Sequence, residues 1–416
     1  MHHTDSLATG QRSLGDTAVS YPLWPPQTAG CPKTSSTDVA YPLEVTYAYE
    51  RVPADLFTQP VAPGLVRWAP LLPPLAPGLD LGEGGTPLLS LPSLAAYAGT
   101  DAEVMVKDES RNPTWSHKDR LNLCAVSAAA LSDSPGVVVA SAGNHGASAS
   151  AYAAAAGLPC VLVTTANGPP AVQTFVSAYG ATVLPVPREA RWDVVRMIVE
   201  RLGYHPVSNR TVTHTGHPFG PEGYKTIAYE VFLQLGRRAP GAVFVPTGYG
   251  ELLYGVWKGF VELSDLGLSG NVPRMYACEP EQRGPLAAAL RSGVPAAHVE
   301  ARPTTAYSIG CTTSGYRGVL AVTGSGGEVL LVTESEIAQA ARAMAKTGVW
   351  PETSAAAGLA GLRQIAHSMP EHYGPIVCVS TSSGFKNHDA CHTQLQAVEP
   401  TWDAVAHRLA HAGLLP

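Results

Sequence analysis

Four loops in this chain gather the residue types that chemistry needs, and each follows a short apolar run. The first spans Val106-Lys107-Asp108-Glu109-Ser110-Arg111-Asn112-Pro113-Thr114-Trp115-Ser116-His117-Lys118-Asp119-Arg120, where a strand-like run turns into a helical pattern with Lys118 at its start. A lysine there meets the positive end of the helix dipole, which favours the neutral amine that attacks carbonyls to form Schiff bases. An ordinary surface lysine fits this segment alone equally well.

The second loop, Ser141-Ala142-Gly143-Asn144-His145-Gly146, joins a β-branched run to an Ala-rich one. Its small residues let backbone N–H groups converge on an anion such as a carboxylate, reinforced by the following helix dipole. His145 reads as a hydrogen-bonding loop residue more readily than as a general base, and two glycines also mark plain turns. The third, Pro246-Thr247-Gly248-Tyr249-Gly250-Glu251-Leu252-Leu253-Tyr254-Gly255, offers GxG and a third glycine five residues on. That is neither the GxGxxG of dinucleotide sites nor a P-loop, which needs a Lys, but it suits a phosphate cradle of backbone amides. The fourth, Thr381-Ser382-Ser383-Gly384, presents hydroxyls able to meet a ligand nitrogen, in a composition that is also common in turns.

The elements that position these loops alternate. From Glu103 onward the apolar runs MVKD, VVVASAG, CVLVTT, TVLPVP, AVFVPTG, MYACEP and IVCVST read as strands. Helical patterns fit 119–131, 146–156, 170–179, 191–202, 222–236, 252–264, 335–346 and 354–367. Strand–helix alternation with right-handed crossovers implies α/β architecture with one or two doubly wound parallel sheets. In such sheets ligands bind beyond the carboxyl ends of the strands, where these loops fall. Residues 1–80 are rich in proline and poor in periodicity, which suggests an extended arm wrapping a domain.

Composition narrows the partners. With 416 residues, 45% hydrophobic and 14% charged, the chain is a compact enzyme type and not a disordered one. The net charge of −6 comes without a basic stripe, so no nucleic-acid partner is expected. The absence of a long apolar run or apolar leader predicts no membrane association and a cytoplasmic location. Seven scattered cysteines without a CxxC pair read as free thiols, with no metal site.

Taken in order, these segments resemble the fold type II PLP (pyridoxal 5′-phosphate) enzymes, the tryptophan synthase β-subunit superfamily, and within it threonine synthase. GEGGTPLLSLPSLAAYAG (82–99), VKDESRNPTWSHKDR (106–120), GPEGYKTIAYEVFLQLG (220–236) and ETSAAAGLAGL (352–362) carry the likeness, which runs over roughly residues 40–390. The resemblance implies two doubly wound domains: an arm of 1–80 on the large domain, a large PLP-binding domain of 81–118 plus 206–416, and a small mobile domain of 119–205. It implies that Lys118 is the Schiff-base lysine, that Gly248, Tyr249, Gly250, Glu251 and Leu252 hold the cofactor phosphate, and that Thr247 also binds the cofactor. Ser141, Gly143, Asn144 and His145 would hold the substrate carboxylate, with Asn144 also near the cofactor's 3′-oxygen, and Ser116 would bind the substrate too. Thr381, with Ser382 beside it, would face the pyridine nitrogen.

A neutral hydroxyl there does not force a proton onto the ring, which biases the chemistry toward prompt loss of a β-substituent. The implied activity is β-elimination or β-replacement on a hydroxyamino acid or its O-phosphorylated or otherwise activated form, through an aminoacrylate-type intermediate. Threonine synthase itself, a threonine or serine dehydratase, and a non-catalytic PLP-binding regulator are the other readings, and a homodimer is expected. The chain departs from threonine synthases at His117, where Phe is usual, at Asn144-His145-Gly146, where they have N-T-A, and at Ser308, where Arg is frequent. Cys31-Pro32 resembles part of a cysteine-bearing ribbon whose partner cysteines are missing. Arg188, Arg191 and Lys225 are candidate anion holders, with surface solvation the expectation for each.

Overall fold

Runs of Val, Ile and Leu too short for helices form strands here, and the longer stretches between them, several rich in alanine, form the helices that cover them. The computed structural model describes residues 6–166, 170–369, 374–387 and 397–415. In chain order come β1 (Ala8–Ser13), β2 (Ser20–Tyr21), β3 (Leu43–Tyr47), β4 (Leu88–Ser90), α1 (Pro92–Ala98), β5 (Val104–Asp108) and α2 (Lys118–Leu131). There follow β6 (Val137–Ala140), α3 (Asn144–Ala155), β7 (Cys160–Thr164), α4 (Pro170–Ala178), β8 (Thr182–Pro185), α5 (Arg191–Leu202) and β9 (His205–Pro206). The chain returns through α6 (Gly220–Gln234), β10 (Ala242–Pro246), α7 (Glu251–Asp265), β11 (Arg274–Pro280), α8 (Pro285–Ser292) and α9 (Tyr316–Ser325). It continues with β12 (Val329–Val332), α10 (Glu334–Ala345), α11 (Ala357–Ile365) and β13 (Ile376–Ser380), and then α12 (Trp402–His411).

Two α/β sheets result. One has the order β12-β11-β10-β13-β5-β4, parallel except for the antiparallel edge strand β4. The other, β8-β7-β6-β9, is wholly parallel. In the larger sheet the period of two sorts residues to opposite faces: Met105, Val243, Val245, Val377 and Val379 join one apolar cluster, and Val104, Val106, Phe244, Ile376 and Cys378 the other. Burial on both faces is why these strands read as continuous apolar runs.

The arm differs from the extended segment expected of it. It forms its own three-stranded antiparallel sheet, β2-β1-β3, and β3 is pinned to the helices beneath. Lys258 on α7 donates to the Val45 carbonyl at 2.8 Å and to Glu222 at 2.7 Å, while Tyr47 donates to Glu222 at 2.9 Å. Lys225 belongs to this buried cluster, at 2.8 Å from Glu222 and 2.9 Å from Glu262, so the expectation of a solvated or anion-holding Lys225 is overturned. Its charge is already spent on two carboxylates.

Helices α6 and α7 sit unusually close because glycines face the contact. A Cβ on Gly255 would lie 2.7 Å from the Pro221 carbonyl oxygen, and one on Gly259 2.4 Å from that of Lys225. Gly223 likewise admits α2, since a Cβ there would lie 1.9 Å from the Arg120 carbonyl oxygen. Close-packed backbones of this kind fix where α2 and α7 begin, and both beginnings face the site.

Candidate active site

At the carboxyl ends of strands from both sheets lies a cavity of about 730 Å³, large enough for a cofactor together with a small substrate. Ala140 at the end of β6, Pro246 at the end of β10 and Thr381 just after β13 all line it, and Lys118 stands in its wall.

Lys118 is the first residue of α2, and a buried charge network holds that helix start in place. Arg120, fully buried, reaches Glu109 at 2.7 and 2.8 Å and Glu230 at 2.6 and 2.8 Å, while Lys107 meets Glu230 at 2.6 Å. Asp119 accepts from the Thr114 backbone at 2.7 Å and from its hydroxyl at 2.5 Å, closing the turn that delivers Lys118. The Lys118 amine donates to Tyr224 Oη at 2.8 Å. Burial lowers its pKa, with Glu251 and Cys311 opposing, so desolvation is the leading reason for a nucleophilic amine here. Beside it, His117 Nδ1 donates to the Thr381 carbonyl at 3.0 Å, and burial then the Lys118 charge keep that ring neutral.

The second loop opens α3, whose first residue is Asn144. Ser141, Gly143, Asn144 and His145 all line the cavity. Ser141 Oγ turns back to accept from Gly143 N at 3.1 Å, which shapes the loop. His145 is pushed down to about 3 by burial and the nearby Lys118 charge, and its Nε2 is buried without a partner. It is therefore a neutral ring with an open polar atom, not a standing base at neutral pH.

The third loop is the N-terminal entry of α7, a 15-residue helix. Thr247, Gly248, Tyr249, Gly250, Glu251 and Leu252 all line the cavity. Gly250 has φ +86°, and a Cβ on it would lie 2.7 Å from Gly318 Cα; one on Gly248 would lie 2.8 Å from Cys311 Sγ. Only glycine leaves this loop close to the opposite wall with its amides free, the geometry that suits a phosphate. Tyr249 is held by a stacked His214 ring, 3.9 Å between centroids. Glu251 Oε1 is buried with no hydrogen-bond partner, and Arg317 stands 3.8 Å from it. Burial raises the Glu251 pKa, with Arg317 and Lys118 opposing, so its negative charge is suppressed or matched beside the cradle.

In the fourth loop the two hydroxyl candidates separate. Thr381 lines the cavity. Ser382 does not: its hydroxyl is committed to the Trp115 carbonyl at 3.0 Å and Asn144 Oδ1 at 3.2 Å. Ser116, which bridges to Ser382, is fully buried and also off the cavity lining, with its hydroxyl unpartnered. The structure thus brings Lys118, the 141–145 loop, the 247–252 loop and Thr381 to one cavity and leaves Ser116 and Ser382 behind its wall.

Five residues outside the four loops also bear on the site. Tyr224 meets the Lys118 amine from α6. Arg188 and Arg191 line the cavity; Arg188 keeps the exposure expected of it and donates to the Gly310 carbonyl at 2.8 Å, whereas Arg191 is half-buried. Lys386 and Glu352 hold the Asn144 amide at 2.7 and 2.8 Å. The charged lining of the cavity is Lys118, Arg188, Arg191 and Lys386 against Glu251 alone, among the described residues. Anionic ligands fit that balance.

No helix of the described residues is long and apolar enough to cross a membrane, and no cluster of His, Cys, Asp or Glu among them is arranged to hold a metal ion.

Known proteins resemble this chain. Threonine synthase of Synechocystis is 34% identical over 333 residues, covering 78% of this chain and 84% of that one. Threonine synthase of Halalkalibacterium halodurans is 37% identical over 319 residues, covering 75% and 85%. Among solved structures, maize serine racemase superposes with a TM-score of 0.62 at 20% identity over 79% of this chain and 93% of that one. An O-ureido-L-serine synthase does so with 0.63 at 22% identity over 80% and 99%. These two show the fold, α/β of fold type II. The sequence pattern described as "Pyridoxal-phosphate dependent enzyme" matches residues 79–382, from nine residues before the edge strand β4 to the hydroxyl loop after β13. This chain therefore belongs to the pyridoxal-phosphate dependent enzyme family.

Proposed function

We propose that the chain is a PLP-dependent carbon–oxygen lyase or synthase that acts on a hydroxyamino acid whose oxygen carries an anionic activating group, with a phosphate ester the foremost case. The observation that carries this reading is the charge of the cavity. Three places suit anions: the amides of 248–252 at the α7 N-terminus, the 141–145 loop at the α3 N-terminus, and the pair Arg188 and Arg191. The first matches the cofactor phosphate and the second an amino-acid carboxylate. The two arginines then remain for an anion on the substrate side chain.

In this reading Lys118 holds PLP as a Schiff base, and Asn144, Thr247 and the 248–252 loop bind it, with Thr381 offering the ring nitrogen a hydroxyl and no acid. Bound PLP supplies a conjugated ring that takes up the electron pair of a Cα–H bond. Lys118, once its amine is free, accepts the Cα proton, and Tyr224 keeps that amine within reach. His145 and Ser141 line the carboxylate place without carrying charge. The walls exclude water from the amine, which lowers its pKa and readies it as a base.

The relatives named threonine synthase favour a second reading, phosphate loss from the γ-carbon followed by hydration at the β-carbon. Product mass from O-phospho-L-serine, O-phospho-L-threonine and O-phospho-L-homoserine decides between the two. Release of inorganic phosphate from the first two with a keto acid or a β-substituted product supports β-chemistry; threonine from the third supports the alternative. Turnover of unphosphorylated serine at equal rate defeats the anion argument.

The proposal extends to organisation: an arm of 1–80, a large cofactor domain of 81–118 plus 206–416, and a small mobile domain of 119–205. It also extends to a cytoplasmic homodimer. The six cysteines among the described residues are free and buried, in keeping with a reducing compartment. Light scattering of the holoenzyme tests the dimer.

A further inference from the structure

Asn144 sits between opposite charges that come from distant parts of the chain. Its Oδ1 accepts from the Lys386 ammonium at 2.7 Å and from Ser382 Oγ at 3.2 Å. Its Nδ2 donates to Glu352 Oε2 at 2.8 Å. The other Glu352 oxygen accepts from Ser308 Oγ, and the Glu352 backbone N–H donates to the Ser382 carbonyl at 2.9 Å, so the carboxylate is itself held. Lys386 and Glu352 are each 1% exposed and Asn144 6%, so these contacts lie out of bulk water.

An amide in this position has one allowed orientation. Flipping it would press the carbonyl oxygen on the Glu352 carboxylate and the NH₂ on the Lys386 ammonium, two repulsive contacts in a low-dielectric setting. With the orientation fixed, both Oδ1 partners and one N–H are used. The one remaining polar group of the Asn144 side chain is its second N–H, and Asn144 lines the cavity that also contains Lys118. The amide therefore presents a donor, and the ammonium and carboxylate polarise it so that the donor is strengthened.

The partners also divide between the two sheets. Asn144 begins α3, which follows β6 of the four-stranded sheet, whereas Lys386 follows β13 of the six-stranded sheet and Glu352 precedes α11, which covers it. We propose that Lys386 and Glu352 are positioning residues that clamp the Asn144 amide across the two sheets, so that its free N–H is offered to an oxygen of the bound cofactor. This rests on the PLP reading above. Neither residue is a catalytic residue in this assignment, since both act through Asn144.

The charged and titratable groups facing Lys386 are Glu352, Asp119 and His117, and the Phe175 ring lies 5.5 Å from its nitrogen. Burial, opposed by Glu352 and Asp119, brings the Lys386 pKa down to about 8, so the clamp loses its charge within an accessible pH range.

The test is PLP binding to the full-length protein, followed by quenching of tryptophan fluorescence, for wild type, Lys386→Met, Glu352→Gln, Asn144→Ala and the double variant Lys386→Met/Asn144→Ala. A charge-assisted hydrogen bond corresponds to roughly tenfold to hundredfold in affinity, so Lys386→Met is expected to weaken PLP binding about tenfold or more at pH 7. Glu352→Gln, which keeps an acceptor and loses the charge, should weaken it less. The double variant should bind no worse than Asn144→Ala, because both changes remove one contact. The ratio of wild-type to Lys386→Met affinity should fall toward one as pH rises through about 8, a change a merely structural lysine would not give. Equal PLP affinity of wild type and Lys386→Met, additive losses in the double variant, or a pH-independent ratio each overturns the clamp. Should Lys386→Met fail to fold, Glu352→Gln with the wild-type affinity overturns it as well. A wild-type protein that takes up no PLP overturns the functional reading together with the clamp, whereas the preceding outcomes overturn the clamp alone.

Discussion

Replacing Gly250 with alanine isolates what the loop before α7 contributes. At φ +86° an L-residue is strained by about 1 kcal/mol. Its Cβ would lie 2.7 Å from Gly318 Cα and 2.9 Å from Gly318 N, both backbone atoms that cannot swing away as a side chain would. The unliganded loop can relieve this by moving outward. A phosphate that needs the amides in their native places forces the strain back, so the cost appears in binding and not mainly in stability. Strain plus overlap come to about 2–3 kcal/mol, or roughly a 30- to 150-fold loss of PLP affinity. Trp192 lines the cavity with its ring 6.1 Å from Tyr249, so its fluorescence reports binding directly. An affinity within threefold of wild type, at unchanged melting temperature, would refute the assignment of this loop as the phosphate cradle.

Other outcomes follow from the same geometry. Lys118→Ala should leave no borohydride-fixed chromophore and no turnover; retained activity removes Lys118 from the chemistry. Arg188→Gln and Arg191→Gln should raise KM for O-phosphorylated amino acids by about tenfold while leaving PLP affinity unchanged, and a fall in PLP affinity instead would place these arginines on the cofactor. Thr381→Asp should increase pyridoxamine phosphate as a side product by putting a proton on the ring nitrogen, and an unchanged product distribution counts against the electronic argument. Glu230 is held down to about 2: burial alone would raise it, but Arg120 and Lys107 prevail. A carboxylate whose folded pKa is depressed stabilises above its usual range near 4.5, and that stability is lost as pH falls from there toward 2. Glu230→Gln should therefore lower the unfolding free energy at pH 7, read from urea titrations, by about 3 kcal/mol and flatten its acid dependence; an unaltered acid slope would show that Glu230 is not a source of it.

What the sequence discloses here is what neighbours along the chain decide. The strand runs, the helices that follow them and the four post-strand loops are local features, and seven strands and eight helices were legible in them. Two strands after β5 lie outside those seven runs: β12, whose run VLLV is only four residues long, and β9, which has two. The arm's sheet was hidden because β3 pairs with β1 across some thirty residues of proline-rich chain, and no periodicity links them. The site's remaining members are brought in by tertiary structure. Glu352 and Lys386 stand 208 and 242 residues from the asparagine they hold, and Tyr224 stands 106 from Lys118. Lys225 shows the reverse error: charge in the sequence suggested solvent, and only the fold shows that it is buried between two carboxylates. Ser116 and Ser382 are adjacent to site residues in sequence, yet they bridge to one another with their side chains off the cavity.

The network of Arg120, Lys107, Glu109 and Glu230 balances two cations against two anions inside the protein, and it has a consequence for how such an enzyme can change. Any single replacement within it strands a charge in a water-free interior, so the lysine it presents is tied to a set of residues that must alter together or not at all. Arg188 and Arg191 have no such obligation: they stand at the rim of the smaller sheet, bound to the rest by backbone contacts, and can be exchanged singly at little cost to folding. Under the function proposed above, inheritance would thus keep the reaction type fixed while the leaving group accepted by the cavity drifts, and new substrates would be most readily acquired through the loop that follows β8.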